Sequence, residues 1–153
     1  MKVNTYLLIS LGLILLTASC NKKLSEAEQH EKDIEIIKSY ISDNNLDAQE
    51  TASGLHYTID EPGTGKHPTA HETVTVRYKG MLTNKNVFDQ NDKYETSLQN
   101  VIQGWTEGIQ KYKEGGEGTL LIPSRLGYGS NPTGNIPANS VLIFEIKLLD
   151  IKN

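Results

Sequence analysis

Few residues in this chain have the type and spacing to do covalent chemistry. The single cysteine, Cys20, closes an apolar N-terminal run, and no Gly-x-Ser-x-Gly elbow occurs. His30, His56, His67 and His71 form no ligand motif, so no metal is expected and all four read as surface residues. The glycine clusters sit in turns without the Lys-Ser/Thr that a phosphate loop needs. What remains is chemistry that requires no nucleophile, metal or cofactor, of which rotation about a bond is one kind. Taken singly, the remaining candidates have ordinary readings. Trp105 heads a short helix and reads as packing, while Tyr78 and Phe144 read as core on alternating strand faces. Asp89 precedes a polar stretch and reads as a turn residue. Tyr128 lies in a glycine-rich loop and reads as a surface aromatic.

The elements that must position these residues follow from the pattern. The chain has 153 residues, 37% hydrophobic and 22% charged, enough for one domain with an extra segment. Its formal charge of −4 gives no sign of the basic face that nucleic-acid binding calls for, and no nucleic-acid partner is expected. Leu55 to Ile59 and Thr73 to Tyr78 alternate as strands, the second with Val74, Val76 and Tyr78 on one face. Glu61 to Gly65 is a turn cluster. Gly104 to Tyr112 reads as a short helix stopped by Glu114-Gly-Gly. Thr119 to Ile122 is a strand ended by Pro123, Leu126 to Asn139 a loop, and Val141 to Ile151 a long last strand. The economical solution is α+β, one helix lying across an antiparallel sheet of four to six strands.

Residues 1–19 read as an address rather than as structure. Lys2 gives a positive start, Tyr6 to Leu16 an apolar run too short to span a bilayer, and Thr17-Ala-Ser19 a small-residue cleavage region. Small residues ending in Cys20 resemble the lipobox of bacterial lipoproteins, although Thr17 stands where Leu is usual and Leu16 lies one position further out. That resemblance implies a diacylglycerol on Cys20, a membrane attachment durable enough to hold an exported protein in the bacterial cell envelope. Asn21-Lys-Lys after the cysteine lacks the Asp that marks inner-membrane retention in some enteric bacteria, which favours the periplasm-facing outer membrane. A plain signal peptide cut near Ala18 is the alternative.

Residues 20–50 form a helical linker or stalk. Ser25 and Glu28 match a capping box, Ile34, Ile37 and Ile41 with Leu46 further on make a narrow apolar stripe, and Asn44-Asn45 is a stop. The stripe admits two readings: a spacer or dimerising helix that could join two copies of the chain, or a helix packed on its own domain.

Residues 51–153 are expected to form the compact domain, and about residues 54–153 of it carry a family resemblance. Tyr78-Lys-Gly80, Val87-Phe-Asp89, Val101-Ile-x-Gly-Trp105-x-x-Gly108, Ile122-Pro-Ser124, Tyr128-Gly129, Ile136-Pro137 and Val141-Leu-Ile-Phe144 occur in order. Together they resemble the FKBP-type peptidyl-prolyl cis-trans isomerases, and the Ser-Gly-Leu-x-Tyr lead-in resembles their bacterial envelope branch. The resemblance implies a twisted antiparallel sheet wrapped over one short helix, with a proline pocket between them. It makes Trp105 the floor, Tyr78, Phe88 and Phe144 aromatic walls, Val101 an apolar side and Ile136 the rim. Ile102 would donate its backbone N–H to a ligand carbonyl, Tyr128 its hydroxyl, and Asp89 would face the reacting carbonyl. Proline-containing polypeptides are the implied substrates and macrolides such as FK506 the implied inhibitors, with no cofactor.

The chain departs from the family pattern between Thr83 and Asn91, which reads as a loop, where Asp-Gly is missing and Gln90-Asn91 replaces two serines. Asn86 is expected to take the left-handed turn position that glycine usually fills. Tyr94 is a loosely aligned candidate for a further wall aromatic. Two functions are therefore in play: an isomerase that assists folding of exported proteins, and a lipid-tethered chaperone or scaffold of the same fold with weak isomerase activity.

Overall fold

The computed structural model describes residues 23–152, so the address segment and Cys20 lie outside it. Helix α1 spans Glu26–Asp43. Its capping box forms: the Glu28 N–H donates to Ser25 Oγ at 3.2 Å, and the Ser25 N–H donates to Glu28 Oε2 at 2.8 Å. Those bonds to Ser25 hold the Glu28 carboxyl below its ordinary value. At the far end the Asn44 side chain donates to the Tyr40 carbonyl at 2.8 Å, and Asn45 turns left-handed.

Six antiparallel strands follow: β1 (Gln49–Glu50), β2 (His56–Tyr57), β3 (Thr73–Leu82), β4 (Val87–Ser97), β5 (Glu117–Ile122) and β6 (Leu142–Lys152). They lie in the order β1-β2-β5-β6-β3-β4. A short helix, α2 (Gln103–Ile109), crosses one face. The architecture is α+β, as expected.

Alternation along the central strands supplies both faces of the sheet. Val74, Val76 and Tyr78 of β3, Leu120 and Ile122 of β5, and Leu142, Phe144 and Ile146 of β6 pack with Trp105, Ile109 and Tyr112 beneath α2. Each fully buried aliphatic side chain there contributes about 1.5–3 kcal/mol. Gly104 and Gly108 let α2 approach closely, since a Cβ on them would stand 2.4 Å from Ile122 and 2.6 Å from Leu120.

The intervening residues Met81, Leu121 and Ile143 point to the opposite face. There they meet Ile37 of α1, with Ile34, Tyr40, Ile41 and Leu46 packed against the same cluster. Of the two readings of the Ile stripe, packing on the chain's own domain is the one found.

Several local expectations are corrected. The segment from Thr83 to Asn91, read as loop, is a tight turn leading into β4. β4 carries almost no apolar alternation because it is an edge strand whose residues are mostly exposed. Lys85, not Asn86, takes the left-handed position, with φ 68°. The Asn84 side chain accepts from the Asn86 N–H at 3.0 Å, which places the turn one residue earlier. His56 is buried rather than exposed; Nδ1 lies 3.1 Å from the Gly54 carbonyl and Nε2 3.6 Å from Glu50.

Candidate functional site

The strand that lacked a sequence signal is the one that shapes the site. On β3, Val76 faces Tyr94 and Gly80 faces Asp89. Between Gly80–Asp89 and Met81–Val87, β4 carries an extra residue, Phe88. Regular alternation would send Phe88 and Asp89 to opposite faces; the bulge lets both turn toward α2. A second irregularity, between Val76 and Tyr78, keeps Tyr94 on the same side. Gly80 makes room for the arrangement, because a Cβ there would stand 2.6 Å from the Phe88 ring and 2.7 Å from the Phe144 ring.

The result is a cavity of about 680 Å³ between sheet, α2 and the loop after β5. Trp105, 5% exposed in the first turn of α2, lies at its base. The Tyr78 and Phe144 rings stand edge-on to it, with centroids 5.0 and 5.2 Å away. Phe88 meets Phe144 at 5.5 Å, again edge to face. Tyr94 lies 5.8 Å from Tyr78 and 6.4 Å from Trp105. Edge-to-face pairs of this kind are each worth about 0.5–1.5 kcal/mol beyond their buried area. They fix a rigid apolar box.

Polar groups surround the mouth. The Tyr78 hydroxyl donates to Asp89 Oδ2 at 2.6 Å. Burial, reinforced by that bond and by the Asp89 charge, pushes the Tyr78 hydroxyl well above the usual tyrosine range. Burial also raises Tyr128, with Asp89 and Tyr94 adding to the effect. Both phenols are therefore hydrogen-bond donors at neutral pH. Val101 and Ile102 form the wall that leads into α2, and the extended backbone of Ile102 caps the helix without a side-chain bond. Across the mouth, Thr133 and Ile136 exchange both backbone hydrogen bonds, at 3.0 and 2.9 Å, around a left-handed Gly134.

All ten residues expected of a pocket, Tyr78, Phe88, Asp89, Tyr94, Val101, Ile102, Trp105, Tyr128, Ile136 and Phe144, line this one cavity. Sequence reasoning missed Asn100, Thr133, Gly134 and Asn135, which also line it. The signal for the last three was the Thr-Gly-Asn run directly before Ile136-Pro137, a turn that must fold over whatever the loop covers. Aromatic walls around a buried floor, with Tyr78, Asp89 and Tyr128 among the lining groups that can hydrogen-bond, can hold a small ring and the amide joined to it.

Comparison with known proteins agrees with this geometry. The sequence model described as FKBP-type peptidyl-prolyl cis-trans isomerase matches residues 64–149. A relative from Buchnera aphidicola subsp. Schizaphis graminum, the FKBP-type peptidyl-prolyl cis-trans isomerase FkpA, is 50% identical over 108 residues, which are 67% of this chain and 43% of that protein. The chain thus spans less than half the length of that relative. The crystal structure of FkpA from Escherichia coli superposes with a TM-score of 0.72 at 32% identity, covering 85% of this chain and 74% of that one. A peptidyl-prolyl cis-trans isomerase structure from Pseudomonas syringae pv. tomato gives 0.74 at 30% identity, covering 86% and 98%. With more than half of its length matched by the family's model, and with that family's fold, the chain belongs to the FKBP-type peptidyl-prolyl cis-trans isomerases.

Proposed function

We propose that the protein is an active peptidyl-prolyl cis-trans isomerase that assists the folding of exported polypeptides. The observation that carries this reading is the box of Trp105, Tyr78 and Phe144 with the Tyr78–Asp89 pair at its mouth. A planar amide resists rotation by about 18–20 kcal/mol because its C–N bond has partial double-bond character. For a residue before proline, uncatalysed exchange takes tens to hundreds of seconds, roughly. At the twisted midpoint conjugation is lost and the group is less charge-separated. A proline ring seated on Trp105 brings its amide out of water, which raises the polar planar amide relative to the twisted one. Tyr128 and the Ile102 N–H hold the peptide bent, so that part of the cost of reaching the midpoint is met on binding. Asp89 faces the rotating carbonyl and keeps Tyr78 oriented. Lowering the barrier by about 7 kcal/mol would speed exchange about 10⁵-fold.

The remaining parts of the reading extend beyond the pocket. Cys20 would carry the lipid that anchors the chain to the envelope, leaving the domain facing the periplasm. A macrolide such as FK506 would fill the same cavity. A homodimer would have to use a face other than the Ile stripe of α1, which packs on the sheet. The altered segment from Thr83 to Asn91 is the feature that favours a scaffold with little activity; that it still delivers Phe88 and Asp89 to the cavity supports the enzyme instead. A protease-coupled assay on short X-Pro peptides tests the reading. Acceleration by the protein, lost in Asp89→Ala or Tyr128→Phe variants that remain folded, supports it. A folded wild-type protein that leaves the rate unchanged sinks it.

A further inference from the structure

Outside the pocket, one buried acid has no part in the chemistry described. Asp33 lies midway along α1 and is 0% exposed. Its Oδ1 accepts from the Gln29 side chain at 2.7 Å. Its Oδ2 accepts twice from one residue: from the Ser124 N–H at 2.8 Å and from the Ser124 hydroxyl at 2.5 Å. A buried carboxylate is costly to desolvate, and three donors offset that cost. An apolar residue would fill the same space without it, so the acid supplies orientation rather than mere packing.

Ser124 opens the turn that follows β5, and its carbonyl faces the other way. It accepts from the Gly127 N–H at 2.9 Å and from the Gly129 N–H at 2.8 Å. Those two residues flank Tyr128, and Gly129 adopts the left-handed conformation that directs the chain back. The Gly129 carbonyl in turn accepts from the Asn139 N–H at 2.7 Å, at the far end of the rim loop. A continuous line of hydrogen bonds therefore runs from Asp33 through Ser124 to both neighbours of the tyrosine in the pocket. Asp33 is the α1 side chain that hydrogen-bonds to this turn; the rest of the helix meets the sheet through its Ile stripe.

We propose that Asp33 is a positioning residue for isomerisation: α1 braces the Ser124–Gly129 turn through it and so sets where the Tyr128 hydroxyl stands in the pocket. The inference rests on the reading of Tyr128 as a peptide-binding donor. A misplacement of about 1 Å in such a group can cost up to about 100-fold in rate.

The test is a double-mutant cycle on the whole protein, read by kcat/KM for an X-Pro peptide and by NMR of the Tyr128 and Gly129 amides. Asp33→Ala is expected to lower kcat/KM about tenfold. In a Tyr128→Phe background the same substitution should cost less than about twofold, because both losses pass through one hydroxyl. Asp33→Asn, which keeps an oxygen for the Ser124 N–H, should retain most of the activity. Losses that multiply in the double variant overturn the proposal, as do Tyr128 and Gly129 amide signals unmoved by Asp33→Ala. If Asp33→Ala does not fold, Ser124→Ala removes only the hydroxyl bond and runs the same cycle, with a smaller loss that again vanishes in the Tyr128→Phe background. The two failures are distinguishable. An active wild type unimpaired by Tyr128→Phe tells against the reading of Tyr128, whereas an impaired Tyr128→Phe with multiplying losses tells against the brace alone.

Discussion

The Tyr78 hydroxyl donates to Asp89 Oδ2 across 2.6 Å, joining two adjacent strands at the mouth of the cavity. The bond ties one Asp89 carboxylate oxygen to a ring that stands edge-on to Trp105. Tyr78→Phe removes the bond but keeps the ring. It should cost about 1–2 kcal/mol of stability, since the acceptor is charged and the site is half open to water. Isomerase activity should fall by about tenfold as Asp89 loses its orientation. Urea denaturation and a peptide assay on the same sample separate the two effects. An unchanged activity would show that Asp89 needs no partner.

The pH profile should be flat on its alkaline side. Tyr78 and Tyr128 are raised above the ordinary tyrosine value of about 10. For a group whose folded pKa is raised, its stabilising contribution is complete below the unfolded value and is lost as pH rises through the folded one. Both hydroxyls therefore stay protonated up to about pH 10, and neither limits activity there. Tyrosinate absorbance and kcat/KM followed together check this. A loss of activity that tracks tyrosinate formation below pH 10 contradicts it.

Gly80 is needed for its missing side chain. Its Cβ would stand 2.6–2.8 Å from the Phe88 and Phe144 rings, and neither ring can retreat without opening the wall. Gly80→Ala should destabilise the fold by about 1–3 kcal/mol and weaken peptide binding as well. Thermal unfolding and titration with an X-Pro peptide measure both. A variant with wild-type stability and affinity would show that the rings shift freely.

Ile37 distinguishes an integral α1 from a detachable one. It is 0% exposed and packs against Met81, Leu121 and Ile143 on the face away from the pocket. Ile37→Ala should cost about 2–5 kcal/mol. A urea midpoint equal to wild type would mean that the helix is not part of the cooperative unit.

Much of this organisation is legible in the sequence, and the parts that are not share a cause. β3, β5 and β6 are central strands whose pocket-side face is buried throughout, while Arg77, Lys79, Glu145 and Lys147 leave part of the other face to solvent, so their apolar alternation is strong. The capping box at Ser25 and the stripe at Ile37 likewise state α1 openly, although nothing in the stripe says whether it meets another copy or its own sheet. β4 is silent because an edge strand needs few apolar residues, and its bulge breaks the alternation that would have placed Phe88 and Asp89. The motif order brought those two residues to the pocket where periodicity could not. Asp33 was invisible for a different reason. A lone acid on a polar helix face looks solvated until the turn at Ser124 covers it.

This box of rings is proposed to speed rotation about the bond before proline. NMR exchange spectroscopy on an X-Pro peptide, with the folded protein at substoichiometric concentration, addresses it without a coupling enzyme. Cis and trans signals should exchange far faster than the uncatalysed tens to hundreds of seconds, roughly, and FK506 should abolish the effect by filling the cavity over Trp105. Exchange at the uncatalysed rate in the presence of folded protein would contradict the account.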